Sequence, residues 1–151
     1  MKEHLQQYAA WNRWANQRFL ELMNGLDEST LQQEVISSFP SLYHTVLHLY
    51  TAEHNWWQRL QLAEHILSPA DHFKGTFQEL AALLLDQSKR WEQWVANASD
   101  RQLEHVFAYQ NLKGDHFKQP VWQMVLHLFN HGSYHRGQLV TLLRQAGVEK
   151  I

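Results

Sequence analysis

The sequence predicts an all-α protein, a four-helix bundle with a short β-hairpin before its last helix. Apolar residues recur at helical spacing along four long segments, which indicates amphipathic helices. The connections between these segments are of modest length, as they are in helix bundles. Ahead of the last segment, two short runs that contain aromatic residues flank a glycine-containing turn, which is typical of a hairpin.

The first helix is predicted over residues 2–24, with Gly25 as its C-cap. A short extra turn is expected at residues 27–33. The apolar stripe of this helix keeps to helical spacing through Leu5, Tyr8, Trp11, Ala15, Phe19 and Leu22.

The second helix is predicted to follow the N-cap residue Ser41 and to continue to about residue 67. The Ser-Pro-Ala-Asp segment at residues 68–71 is expected to break it. The third helix is predicted over residues 76–98, because its first and fourth residues, a threonine and a glutamate, have the spacing of a capping box.

The hairpin is predicted from residues 106–109 and 116–118, which flank a turn at residues 111–114. The fourth long helix has Pro120 at or near its first turn, where a missing backbone N–H costs little. It is expected to end at Gly147.

The composition indicates one globular domain over residues 1–151. Hydrophobic residues make up 44% of the chain and charged residues 19%, as in ordinary globular proteins. A formal net charge of -2 does not give the basic surface that nucleic acid binding needs. The sequence has no cysteine, no signal-peptide pattern and no apolar run of ~18 residues, so we expect a cytoplasmic protein with no membrane partner.

Eleven histidines are the unusual feature, and three of them lie on one face of the last helix. His127, His131 and His135 are each four residues apart, a spacing that lets neighbouring imidazoles share one ion. His127 and His135 are ~12 Å apart along the helix and cannot bind the same ion. The metal-binding pair is therefore His127 with His131, or His131 with His135.

Any further ligand must come from another helix. The second helix offers His44 and His48, again four residues apart, and then His54 and His65. Because the chain has no cysteine, histidine or carboxylate must supply the ligand. Three histidines that leave one coordination position open are typical of a catalytic site, and a filled tetrahedral set is typical of a structural one.

Three segments resemble the DinB/YfiT-like superfamily of metal-dependent bundle proteins. They are residues 8–18 in the first helix, residues 41–57 in the second and residues 127–139 in the last. The last segment contains a His-Arg-Gly-Gln run, which is a strong signal of that family. The resemblance spans nearly the whole chain and implies an up-down-down-up connection of the four helices.

Carried onto this sequence, the resemblance implies that the metal ligands are His48, His131 and His135. His127 falls on a position that is frequently histidine in the family but is not a ligand. The resemblance also implies one divalent metal ion, nickel or zinc, and a homodimer.

Characterised relatives include thiol-dependent transferases and isomerases. The resemblance therefore favours an enzyme in which the metal activates a low-molecular-weight thiol for S-transfer to an electrophile, in stress response or detoxification. A metal-dependent hydrolase is the alternative chemistry, and a non-catalytic dimer clamped by the metal is the alternative class. No catalytic residue beyond the metal ligands is assigned.

Residues near these ligands are interpreted as structural. Glu53 lies ~140° around the helix from His48, so we expect it in an ion pair or a cap rather than in catalysis. Arg136 and Gln138 are expected to face away from His135 and to make structural bonds.

Two glycines and several tryptophans are interpreted in terms of packing. Gly132 and Gly137 lower helix propensity, so we expect another helix to pack closely there or the metal to need the room. The tryptophans expected in the core or at a dimer interface are Trp11, Trp14, Trp56 and Trp57.

Overall fold

A computed structural model describes residues 1–111 and 114–151, which contain seven helices and a two-stranded hairpin. The four long helices are α1 (Lys2–Met23), α3 (Leu42–Leu60), α5 (Phe77–Asn97) and α7 (Val121–Gln145). The short elements are α2 (Glu28–Gln32), α4 (Pro69–His72), α6 (Asp100–Glu104), β1 (Val106–Gln110) and β2 (His116–Pro120). The predicted fold class, an all-α bundle with a hairpin before the last helix, is confirmed.

The long helices follow the up-down-down-up connection. α1 and α3 each pack against both α5 and α7. Contacts between the helices show that α1 runs parallel to α7 and that α3 runs parallel to α5. The pairs α1–α5 and α3–α7 are antiparallel. Two residue contacts give the direction for each pair of helices. They are Tyr8–Phe129 and Asn12–Arg136 for α1 and α7, His54–Gln87 and Trp57–Trp91 for α3 and α5, Gln6–Ala96 and Asn16–Ser88 for α1 and α5, and His48–His131 and Trp56–His127 for α3 and α7.

The end of α3 differs from the prediction. The helix stops at Leu60 rather than near residue 67. Leu62 takes a left-handed φ of 55°, and the Ala63 N–H donates to the carbonyl of Gln58 at 3.0 Å. A glycine usually takes this left-handed conformation at the end of a helix. Because the residue here is a leucine, the sequence did not indicate that the helix ends at this point. Two further short helices, α4 and α6, were not expected.

The predicted signals hold at the starts of α3, α5 and α7 and at the end of α7. The prediction of Gly25 as the C-cap of α1 is wrong, because Asn24 is the C-cap and keeps a right-handed helical conformation. The Ser41 side chain accepts from the backbone of α3, and Thr76 forms the complete capping box with Glu79 at the start of α5. Pro120 is the N-cap of α7, and Gly147 follows that helix with a φ of 85°.

The hairpin packs beside α3. β1 and β2 pair antiparallel, with Val106 opposite Pro120 and Gln110 opposite His116. Residues 112 and 113 of the predicted turn lie outside the described residues. The rings of Tyr109 in β1 and Trp56 in α3 make an edge contact with centroids 4.9 Å apart, which places the hairpin against the bundle.

Apolar side chains form two clusters, one toward each end of the bundle. The first contains the C-terminal halves of α1 and α7 with the N-terminal halves of α3 and α5. The second contains the opposite halves of these helices together with α6 and β1. Among the helices of the described chain, none has both the length and the apolar character that crossing a membrane requires.

A buried polar layer separates the two clusters and consists of Asn12, Asn16, Glu53, Ser88 and Arg136. Glu53 Oε1 accepts from Asn12 Nδ2 at 2.8 Å and from Asn16 Nδ2 at 3.0 Å. Glu53 Oε2 accepts from the Ser88 hydroxyl at 2.8 Å. Arg136 Nη1 donates to both asparagine Oδ1 atoms at 2.8 Å. Two amides therefore bridge a carboxylate and a guanidinium, and the layer joins all four long helices.

The polar layer holds two opposite charges inside the bundle. Glu53 and Arg136 are each only 4% exposed. Burial raises the pKa of Glu53 to about 7, although the surrounding donors and Arg136 oppose this shift. Burial likewise lowers the pKa of Arg136 to about 10. These bonds agree with the structural roles predicted for both residues.

The absence of a side chain at Gly132 leaves space for the side chains of the polar layer. A Cβ at this position would lie 3.0 Å from Arg136 Nη1 and 3.1 Å from Asn12 Oδ1. At Gly137 a Cβ would meet no atom of the described residues within 4 Å. The close packing expected at both glycines therefore holds for Gly132 and is wrong for Gly137.

The substitution Glu53→Gln should change how stability depends on pH. The pKa of Glu53 is about 7 in the folded protein and 4.5 ordinarily, so the folded state binds more protons between these values. The contribution of Glu53 to the free energy of unfolding therefore falls as pH rises. Relative to Glu53→Gln, the wild type should lose ~2–3 kcal/mol between about pH 5 and about pH 8, measured by urea denaturation.

The matched control is Asp86→Asn, which removes an exposed ion pair with Arg90. Exposed pairs contribute little, so this variant should follow the pH dependence of the wild type. A difference between wild type and Glu53→Gln that stays constant over this pH range would contradict the prediction.

Candidate metal centre

Three histidine side chains meet between α3 and α7. His48 comes from α3, and His131 and His135 lie one turn apart on α7. The Nε2 atoms of His48 and His135 lie 3.0 Å and 3.1 Å from Nε2 of His131. Ligand atoms of all three residues lie within 4.8 Å of one another. The structure thus brings together the residues that the sequence predicted as ligands, and we call them the histidine triad.

Neighbouring side chains orient two of these rings. Gln138 Oε1 lies 2.7 Å from His135 Nδ1. Because an amide oxygen only accepts, Nδ1 of the neutral ring carries the proton, and the Nε2 lone pair is free toward the centre of the triad. The His48 ring stacks on Phe39 with centroids 4.1 Å apart.

The contact of Gln138 corrects a prediction. This residue was expected to face away from His135, but residues three apart share a face of a helix, and its amide reaches the ring. Gln138 also donates to the Ser38 hydroxyl at 2.7 Å. The segment before α3 therefore helps to hold the amide that orients His135.

The triad is neutral near neutral pH. Burial, the larger cause, and the neighbouring histidines lower the pKa of His48 to about 3 and that of His131 to about 4. Burial also lowers the pKa of His135. Neutral imidazole is the form that binds a metal, so few protons compete for these ligands.

The donor set fits one divalent transition metal. An ion with bonds of ~2.05 Å in tetrahedral geometry separates its nitrogen ligands by ~3.3 Å. This is close to the 3.0 Å and 3.1 Å that separate His131 Nε2 from the other two Nε2 atoms. Imidazole nitrogen suits zinc, nickel and copper alike. No carboxylate joins the cluster in residues 1–111 and 114–151. The three histidines could therefore hold an ion without filling its coordination sphere.

The other histidines considered from the sequence lie apart from the triad. The ring of His127 is exposed, and its centroid is 6.2 Å from that of His131. His44 bonds to the N-cap serine of α3, and His54 lies 3.3 Å from a glutamine of α5. His65 is exposed beyond the end of α3.

A cavity of about 540 Å³ lies beside His48 and His131. Its walls come from α3, α4, β1 and α7. Along α3 the lining continues from His48 through Thr51, Asn55 and Arg59, none of which was singled out from the sequence. The sequence feature that could have identified these residues is their spacing, because they follow His48 on one face of the helix.

Single substitutions should separate the two histidine pairs that the spacing left open. His131→Ala should lose the metal, because His131 is the middle of the triad. His127→Ala should keep it, because His127 lies outside the triad. Zinc or nickel content of the purified variants, measured by elemental analysis, would test this. Full occupancy in His131→Ala, or loss in His127→Ala with retention in His135→Ala, would contradict the assignment.

The comparisons with known proteins agree with the resemblance seen in the sequence. The model of the DinB family matches residues 1–151. The chain is 30% identical over 146 residues to Protein DinB of Bacillus subtilis (strain 168), covering 91% of this chain and 83% of that protein. A crystal structure of a DinB-like protein from Bacillus cereus ATCC 10987 has a TM-score of 0.65 and 22% identity, covering 99% and 96% of the two chains. The chain belongs to the DinB family.

Proposed function

We propose that this protein is a metal-dependent enzyme that activates a low-molecular-weight thiol for S-transfer to an electrophile. The observation that carries the proposal is the histidine triad beside a cavity of about 540 Å³, with no carboxylate joining it in the described chain. This arrangement favours an open coordination position over the filled site of a structural clamp.

Residues around the triad orient the histidine ligands and line the cavity. Gln138 orients His135, and Phe39 packs on His48. Trp56 and Tyr109 form an aromatic wall of the cavity. When bound, a nickel or zinc ion would supply a Lewis acid that favours the deprotonated form of a thiol.

The proposed reaction balances without a redox partner. The thiol loses its proton to solvent, and its sulfur lone pair forms a bond to an electrophilic carbon. The leaving group departs with the electron pair of the bond that breaks. Reduced thiols are abundant in the cytoplasm, which is where we propose that the protein acts. Detoxification or a stress response is the corresponding role.

A conjugation screen tests the proposed chemistry. Protein loaded with zinc or with nickel is incubated with glutathione or cysteine and an aryl halide, and the thioether is measured by mass spectrometry. The wild type should form thioether at least about tenfold faster than His131→Ala, since only the wild type keeps the triad. His65→Ala is the matched control and should retain activity, because His65 is exposed and does not line the cavity.

Equal rates for wild type and His131→Ala would contradict S-transfer. Metal-dependent cleavage of an amide by the same preparation, without thioether, would support the hydrolase instead. Bound metal with neither reaction would support the clamp.

We also propose that a second copy of this chain covers the face formed by α1 and α7. Trp11 and Trp14 are 43% and 56% exposed on this face. They line a groove of about 580 Å³ together with Gly137 and Val140. Exposed tryptophans around an apolar groove are typical of an interface, and two-fold homodimers are the commonest assembly.

Light scattering at micromolar concentration should give the mass of a dimer. Trp14→Glu should shift the protein to the monomer, because it places a charge in the groove. Leu67→Glu changes a residue that is 66% exposed and does not line the groove, so it should leave the dimer intact. A monomeric wild type would contradict the proposal.

A further inference from the structure

The cavity beside the triad continues along one face of α3. Thr51, Asn55 and Arg59 follow one another at intervals of four residues and all line this cavity. Thr51 is 8% exposed and Asn55 is 6% exposed. The cavity therefore has a polar wall that starts at His48 and leads away from the triad.

This wall contains polar atoms that lack partners. Thr51 Oγ1, Asn55 Oδ1 and Arg59 Nε are buried and have no hydrogen-bond partner among residues 1–111 and 114–151. They are three of the five such side-chain atoms in the described chain. Each of these atoms has almost no exposed surface, so a ligand in the cavity could bond to it only after a small movement of the side chain. An unsatisfied buried polar group costs ~1–3 kcal/mol, which favours such a movement when a polar ligand is present.

Arg59 is a partly buried cation without a counter-ion in the described chain. Its Cζ lies 4.8 Å from the centroid of the Trp56 ring and 6.0 Å from that of Tyr109. These rings lie close to the guanidinium but do not neutralise its charge. The other charged residue that lines the cavity among the described residues is Asp71, which is exposed on α4.

The charges favour a singly charged ligand. A guanidinium pairs well with a carboxylate or with a phosphate. One arginine opposed by the carboxylate of Asp71 matches a monoanion better than a phosphate dianion, which would face repulsion without a second cation. A carboxylate is therefore the group that fits Arg59.

The length of the wall sets the shape of the ligand. Arg59 is eleven residues after His48, or ~16 Å along the helix axis. Side chains lean toward the helix N-terminus, so the guanidinium reaches back part of this distance. A ligand that touches both ends must be elongated, with a polar group between them at the level of Thr51 and Asn55.

We propose that this cavity binds an elongated substrate with a terminal carboxylate. The carboxylate pairs with Arg59, a polar group bonds to Thr51 and Asn55, and the opposite end lies at the triad. That the end at the triad is the reacting end rests on the proposed function. Carboxylate recognition by Arg59 does not.

Binding of simple probes to the metal-free protein tests the carboxylate subsite. Isothermal titration calorimetry or ligand-observed NMR compares hexanoate with hexanamide, which has similar size and no charge. Hexanoate should bind the wild type at least about tenfold more tightly, a preference typical of one charge-assisted pair. Arg59→Gln should abolish this preference, and Arg59→Lys should keep part of it.

Arg90→Gln is the matched control, because Arg90 lies on α5 in an exposed ion pair with Asp86. It should keep the full preference for hexanoate. The proposal is wrong if the wild type binds both probes equally, or if Arg59→Gln keeps the preference while circular dichroism shows that it is folded. Competition by inorganic phosphate as strong as that by hexanoate would overturn the carboxylate assignment.

A second measurement separates this proposal from the proposed function. Metal-loaded protein is given ω-mercapto acids of increasing chain length and their amides, with the same aryl halide. Faster conjugation of the acids, with an optimum in chain length, would support both proposals. Equal rates for acids and amides would overturn the subsite alone. No conjugation of any thiol, with the hexanoate preference intact, would overturn the proposed function alone.

Discussion

The bridge between Glu53 and Arg136 is the interaction on which the arrangement of the four long helices depends. Two asparagine amides of α1 donate to the carboxylate on α3 and accept from the guanidinium on α7, and a serine of α5 completes the carboxylate shell. Apolar packing alone tolerates sliding of one helix along another. A charged pair that needs every one of these bonds does not, because any shift would leave a buried charge unsatisfied.

The geometry of the histidine triad depends on the bonds that hold Glu53 and Arg136. Arg136 follows His135 directly in α7, and Glu53 lies little more than one turn after His48 in α3. Holding Glu53 and Arg136 at a fixed height therefore also fixes the register of α3 against α7 at the triad. The amide of Gln138 then sets the tautomer of His135, so the ligand atoms already converge in the protein as described.

The sequence was sufficient for the fold and for part of the site. Long periodic segments with ordinary caps could be predicted. The end of α3 could not, because Leu62 takes a left-handed conformation that is uncommon for leucine. Spacing alone left His127 and His135 as equal partners for His131, and only the family resemblance chose between them. Spacing is a property of one helix, and the choice depends on where a second helix packs.

The polar wall of the cavity was missed for a related reason. In a single sequence, Thr51, Asn55 and Arg59 look like the solvent-facing residues of an amphipathic helix. Only the positions of α4 and β1 show that these side chains line a cavity. Glu53 could be recognised as structural, but not as the centre of a layer that reaches all four helices.

The walls of the cavity have a consequence for how such a protein can diversify. α4 and β1 contribute one side of the cavity, but neither takes part in the polar layer or the triad. Insertions or exchanges in these short segments would reshape the space around a ligand and leave the metal ligands in place. The framework that holds the chemistry and the parts that select the molecule are therefore physically separate, so new selectivity can be obtained without rebuilding the bundle.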